Sequence, residues 1–236
     1  MTFSALALFD IDGTLLRRAG PHHREALVYG VRRVTGLEST TEGIPVQGML
    51  DPDILAVMMR NAGAKHALIR QALPEIERAA ERFYLRECPP LADKHCPAVA
   101  ETLERLTNRG MLLALVTSNL TRIGWRKLDR AGLKRYFRFG AFGEMAKTRA
   151  GLARFAVAEA RRRRWIQTET PISLIGDATS DIIAAQANRI CSISVETGIT
   201  PRAELAALKP DFLIRDLRKL RLYMLGITAR PVRRVV

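Results

Sequence analysis

The sequence predicts an α/β protein, a doubly wound, Rossmann-like parallel sheet core with an inserted all-helical cap domain. Three observations lead there. Short, near-continuously apolar runs recur along the chain, as they do in parallel strands covered on both faces. Helix-patterned segments separate the runs, which is the alternation of a βαβ chain. One long stretch, 17–92, interrupts that alternation with helical pattern alone.

Taken in order, the first run is Ala5-Leu6-Ala7-Leu8-Phe9. It has no basic flank and no small-residue cleavage site, and it leads straight into acidic residues, so it reads as a strand rather than a signal peptide. Helical pattern then covers 22–35, 52–61 and 67–86. Pro89-Pro90 ends the last of these and stiffens the way out, because proline removes a donor and restricts its predecessor. The linker near 16–20 is the matching way in. The expected division is therefore 1–16 with 93–236 as the core and 17–92 as the cap. Beyond it, strand-like runs at 112–116, 172–175, 191–195 and 212–214 alternate with helical segments at 98–108, 122–131, 152–164, 181–188 and 202–208.

Composition limits the function classes. With 47% hydrophobic and 26% charged residues in a 236-residue chain, there is enough apolar material for a true core. No apolar run reaches the roughly 20 residues that span a bilayer, so no membrane partner is expected. Three dispersed cysteines, Cys88, Cys96 and Cys191, suit small hydrophobes in a reducing cytoplasm better than a disulfide framework or a zinc site. Lys and Arg exceed Asp and Glu by 38 to 24, a net +14, with runs at Arg161–Arg164 and in the tail from Arg230 to Arg234. Such charge is able to attract phosphorylated metabolites or polyanions, but the runs themselves read first as solvated helix faces. Aromatics are only 6% and do not interleave with the basic runs, so a base-stacking groove, and with it nucleic acid, is not the expected partner.

The chemistry sits at strand ends. The first strand ends in Asp10-Ile11-Asp12-Gly13-Thr14, where two carboxylates spaced by two point the same way in an extended chain and Gly13 lets it turn. A second acidic pair, Asp177 and Asp181 in Gly176-Asp177-Ala178-Thr179-Ser180-Asp181, spans a strand end and the start of a helix. If the pairs meet, their repulsion demands a divalent cation, and an all-oxygen donor set suits Mg²⁺. The run ending Val116 continues Thr117-Ser118-Asn119, where a hydroxyl followed by a helix N-terminus offers a phosphate site from one side-chain donor and backbone N–H groups. The same three residue types are also ordinary helix N-caps.

In that order, Asp10-x-Asp12-Gly13-Thr14, Thr117, a basic residue and Gly176-Asp177-x-x-x-Asp181 resemble the four motifs of the haloacid dehalogenase superfamily, over about Phe3 to Asp216. The helical insertion resembles its helical-cap branch. The stretch Gly48-Met49-Leu50-Asp51-Pro52-Asp53-Ile54-Leu55 is similar to the substrate loop of phosphoglycolate phosphatase-like and β-phosphoglucomutase-like members. An aspartate at position 12 resembles the phosphatases rather than the true dehalogenases.

The resemblance implies Mg²⁺-dependent hydrolysis of a small phosphate monoester, with a small phosphorylated metabolite as partner. Asp10 would be the nucleophile and Asp12 the acid and then the base. Mg²⁺ would be held by Asp10, the backbone carbonyl of Asp12 and Asp177, with Asp181 partnering the metal waters or the basic residue. Thr117, Ser118 and Asn119 would hold phosphate oxygens. The candidates to face the leaving group are Arg18, His22 and His23 near the first hinge and Gly48 with Asp51 in the substrate loop, although His22 and His23 read more readily as a solvated helix start. For the basic residue the candidates are Lys147 and Arg149. Spacing to Leu152 and Phe155 favours Lys147, while some members place an arginine where Arg149 stands. The alternatives are a phosphomutase of the β-phosphoglucomutase type, and a non-catalytic or nucleic-acid-binding protein that uses the basic surface.

Overall fold

The computed structural model describes residues 2–17 and 20–227. Arg18 and the basic tail from Arg230 to Arg234 lie outside them. Six parallel strands form one sheet: β1 (Leu6–Phe9), β2 (Leu112–Val116), β3 (Phe139–Ala141), β4 (Ile172–Gly176), β5 (Cys191–Val195) and β6 (Phe212–Ile214). Their order is β3-β2-β1-β4-β5-β6, so the chain winds outward in both directions from β1. In such sheets the crevice beyond the carboxyl ends of the central strands is the ligand site.

Register places the motifs. Phe9 lies level with Leu115 of β2 and with Ile175 of β4. One step further, Asp10 therefore stands between the ends of β2 and β4, beside Thr117 on one side and Asp177 on the other. The side chains of β1 alternate between two cores, Leu6 and Leu8 on one face and Ala7 and Phe9 on the other, all buried. Full burial of one such large side chain contributes about 1.5–3 kcal/mol. β3 has no counterpart among the apolar runs of the sequence. It is a three-residue edge strand, and Gly140 within it is pressed against the Phe142 ring, 2.8 Å from where a Cβ would lie.

In the insertion after β1 the described residues hold helices and no strand: α1 (His22–Thr35), α2 (Asp51–Asn61) and α3 (His66–Glu87). Ala26, Leu27 and Val31 of α1 and Ile76, Ala80 and Tyr84 of α3 are buried. At Gly30 the two helices approach so closely that a Cβ would sit 2.8 Å from the Ile76 carbonyl oxygen. The neck of the insertion is a short pairing of its two ends. Leu16 bridges His95, Arg17 N–H donates to the Lys94 carbonyl at 2.9 Å, and Cys96 N–H to that of Leu15 at 2.9 Å.

The remaining helices are α4 (Val99–Asn108), α5 (Thr121–Arg130), α6 (Arg149–Arg162), α7 (Thr179–Ala187) and α8 (Arg202–Ala207). One departs from the sequence pattern in a way that matters below: α6 begins at Arg149, three residues before the expected 152. Thr148 caps it, its hydroxyl accepting from Gly151 N–H at 3.0 Å. No helix among the described residues is long and apolar enough to cross a membrane, and the three cysteines are unpaired.

Candidate active site

Asp10, Asp177 and Asp181 are all buried, and one carboxylate oxygen from each lies within 4.8 Å of the others. Thr14 Oγ1 donates to Asp177 Oδ1 at 2.9 Å. The backbones of Gly13 and Gly198 press on the same carboxylate, and a Cβ on either would overlap it. That is why the turn after Asp12 needs glycine, whose φ of +90° here is also one that other residues rarely adopt.

Arg149 closes the cluster. Its Nη2 lies 2.7 Å from Asp10 Oδ1 and 2.6 Å from Asp181 Oδ1, its Nε donates to Asp181 Oδ1 at 2.9 Å, and its Nη1 donates to Ser118 Oγ at 2.9 Å. One guanidinium faces three carboxylates, so the balance is negative. Burial pushes the Asp10 carboxyl up to about 6, against the pull of Arg149. It pushes Asp177 up to about 8, with Asp10 and Asp181 adding to the shift. A buried, oxygen-only set under such repulsion fits a hard divalent cation.

Lys147, favoured by spacing, is exposed and outside this cluster. Helix phase explains the difference. With Thr148 as cap, Arg149 shares the sheet-facing side of α6 with Leu152, Ala153 and Ala156, whereas Lys147 precedes the helix and Phe155 is 42% exposed.

Asp12 lies at the mouth of the cleft with its side chain 44% exposed. Desolvation works to raise its pKa, yet the Lys127 ammonium against it holds it below the usual carboxylate range. Lys127 Nζ donates to Asp12 at 2.8 and 2.6 Å, and Asn119 Nδ2 to Asp12 Oδ2 at 2.8 Å. Asn119 Nδ2 also reaches Thr117 Oγ1 at 2.6 Å. Thr117 is fully buried, and with its oxygen accepting, its hydroxyl proton is left to donate.

The structure corrects one expectation of the phosphate loop. The backbone donors at the start of α5 are occupied by carboxylates: Leu120 N–H by Asp51, Thr121 N–H by Glu144 and Arg122 N–H by Glu81, at 2.9, 3.1 and 2.8 Å. The helix N-terminus favours negative charge, and acidic side chains from α2, α3 and the 143–145 turn reach it first. Gly48, with φ +73°, stands against Ser180, where a Cβ would fall 2.8 Å from the hydroxyl. His23 joins the site through Asp51, while His22 has an unpartnered Nδ1.

Lys127 is the residue that sequence reading missed. Its signal was phase: it falls four after Ile123 and beside Leu128, on the buried side of α5.

A family model described as haloacid dehalogenase-like hydrolase matches residues 5–188. The chain is 28% identical over 225 residues to a phosphoglycolate phosphatase of Agrobacterium fabrum, covering 92% of this chain and 91% of the relative. It is 30% identical over 233 residues to a phosphoglycolate phosphatase of Pseudomonas syringae, covering 91% and 78%. Among solved structures, CbbY from Rhodobacter sphaeroides in complex with phosphate superposes with a TM-score of 0.69 at 19% identity, over 96% of this chain and all of that one. At that identity the likeness establishes the fold.

Proposed function

The chain belongs to the haloacid dehalogenase-like hydrolases and is a phosphatase of phosphoric monoesters, and from that premise we propose that it is Mg²⁺-dependent, works through an aspartyl-phosphate on Asp10 and cleaves a small ester of the phosphoglycolate kind. The observation that carries the reading is the buried Asp10–Asp177–Asp181 cluster with Arg149 against Asp10.

Asp10 attacks phosphorus with a carboxylate oxygen and the leaving oxygen departs with a proton from Asp12, which the negative charge of the bound phosphoryl group raises toward protonation against the pull of Lys127, splitting one hard displacement into two. Water then cleaves the acyl phosphate while Asp12 takes its proton. Thr117 donates to a phosphoryl oxygen, Ser118 steadies the guanidinium, and Arg149 balances charge that builds on the phosphoryl group. Asn119 holds Asp12 in place beside them. Lys147 has no part. Asp10, Asp177 and the Asp12 carbonyl would hold the cation, with Asp181 fixing Arg149 and the metal waters. Bound there, Mg²⁺ supplies the positive charge that lets a carboxylate meet a dianion.

Residues 17–92 act as a lid hinged at 16/17 and 92/93. The narrow neck at Leu16 and His95 supports that division. Gly48 places its loop over the start of α7, and Arg18, outside the described residues, stays a candidate for the leaving group on its sequence position alone. The α2 end of the lid rests on the phosphate loop, with Asp51 N–H bonded to the Ser118 carbonyl at 3.0 Å, which suits a small leaving group. The relatives named phosphoglycolate phosphatase support the substrate. The unpaired cysteines are consistent with a cytoplasmic setting.

The test is hydrolysis of p-nitrophenyl phosphate with Mg²⁺ and with EDTA, beside 2-phosphoglycolate, sugar phosphates and nucleotides. The expected result is Mg²⁺-dependent release, best on 2-phosphoglycolate, and a loss of 10³-fold or more, in order of magnitude, in Asp10→Asn. Asp10→Asn turnover above about a tenth of the parent would remove the nucleophile assignment. Phosphate passed to a sugar hydroxyl rather than to water would favour the mutase.

A further inference from the structure

Lys127 is 1% exposed, and a buried ammonium is costly unless its donors are used. It has three protons, and three kinds of acceptor meet it: Asp12, Asn119 Oδ1 at 2.7 Å and His23 Nδ1 at 3.2 Å. Because the ammonium can only donate, His23 Nδ1 accepts, and the ring proton sits on Nε2. That proton is donated to Asp51 Oδ2 at 2.8 Å. The same oxygen accepts from Leu120 N–H at 2.9 Å, which returns to the loop that carries Thr117 and Asn119.

The result is a ring, Asp12–Lys127–His23–Asp51–Leu120, closed through the neighbouring Asn119, whose Nδ2 donates to Asp12, in which α5 belongs to the core and His23 and Asp51 belong to α1 and α2 of the insertion. Tyr84 of α3 braces His23 from the side, edge on at 5.9 Å. No motif of the family accounts for Lys127, and no step above uses it.

We infer that Lys127 is a positioning residue that fixes the Asp12 carboxylate toward the leaving oxygen, and that its bond to His23 makes this placement depend on the insertion lying against the core. The inference rests on the acid–base role proposed for Asp12. With the insertion lifted, His23 and Asp51 leave together, and Lys127 loses the partner that completes its set. Lys127 keeps its bonds to Asp12 but is no longer itself fixed by His23, so the aim of the carboxylate is set only when the insertion covers the site.

The experiment compares kcat/KM for p-nitrophenyl phosphate, whose leaving group needs no proton, with that for an alkyl phosphate, whose leaving group does. It is run on the full chain with Mg²⁺ for Lys127→Met, His23→Gln, Asp12→Asn and the Lys127→Met/Asp12→Asn pair. Lys127→Met is expected to lose at least tenfold more on the alkyl ester than on the aryl ester. His23→Gln, which keeps the lysine, is expected to lose in the same direction but less. In the Asp12→Asn background, Lys127→Met should add less than a twofold further loss, because the two act as one unit.

Equal losses on both esters would mean that Lys127 only supports the fold, and would overturn the proposal, as would full additivity with Asp12→Asn. If Lys127→Met does not fold, His23→Gln decides: no leaving-group dependence there overturns the proposal as well. If Asp12→Asn itself leaves the alkyl ester rate unchanged, the fault lies with the acid–base assignment. If Asp12→Asn is severe and Lys127→Met is silent, only the positioning role falls.

Discussion

Two basic residues two positions apart, Lys147 and Arg149, show what a single side chain carries here. Arg149 touches Asp10, Asp181 and Ser118 at once from a buried position. Its removal leaves the buried Asp10 and Asp181 carboxylates without an opposite charge against them, a change that costs about 3–5 kcal/mol where it has been measured. Arg149→Met should therefore lower the urea midpoint strongly and abolish turnover together, whereas Lys147→Met should stay within about 0.5 kcal/mol and keep parental kcat. A silent Arg149→Met would remove it from the site. The two acidic pairs were legible because spacing and strand ends are local properties. The choice of cation was not, because it turns on whether the helix begins at Arg149 or at Leu152, and that is settled by the cap that Thr148 supplies.

Among the elements, α5 is the one whose first turn gathers acidic side chains from three others. Its first backbone donors are taken by Asp51, Glu144 and Glu81, and Glu77 of α3 lies near the same group of charges. Burial, with Glu144 and Glu81 behind it, pushes the Glu77 carboxyl up to about 7. The folded state thus favours protonated Glu77. Its contribution is complete below the ordinary value of 4.5 and is lost as pH rises through about 7. Glu77→Gln should leave Tm unchanged at about pH 4, below the ordinary value of 4.5, and raise it at pH 8 by about 2–4 °C, on the order of 1 kcal/mol after discounting for partial exposure. Identical melting curves for parent and variant at pH 8 would contradict the crowding of these glutamates. The helices themselves were legible from periodicity, but three acids from separate elements meeting on one helix end were not. Each is an unremarkable surface glutamate or aspartate until its neighbours are known.

The whole molecule carries the charge cost of the cluster. Asp10 at about 6 and Asp177 at about 8 are both raised above 3.8, so metal-free protein binds protons more tightly when folded. Its stability from these groups is full below pH 3.8 and is lost progressively as pH rises through 6 and 8. A cation that binds only the folded chain offsets that loss, by an amount set by its concentration over its Kd. The rise in Tm on replacing EDTA with Mg²⁺ should accordingly be larger at pH 8.5 than at pH 6. An equal shift at both values, or none, would argue against a metal held by these three carboxylates.

The sequence by itself determined the alternation of strands and helices, the helical insertion after β1, and the placing of two aspartate pairs and a hydroxyl at strand ends. These follow from periodicity and from the backbone geometry of a few adjacent residues. Only the tertiary structure decided that β3 exists at the sheet edge, that Arg149 rather than Lys147 faces Asp10, and that Lys127 meets Asp12 across 115 residues of chain. The physical reason is the same in each case. A short edge strand is defined by the partner it pairs with, and a charged side chain is buried or exposed according to the opposite charge brought to it from elsewhere in the fold.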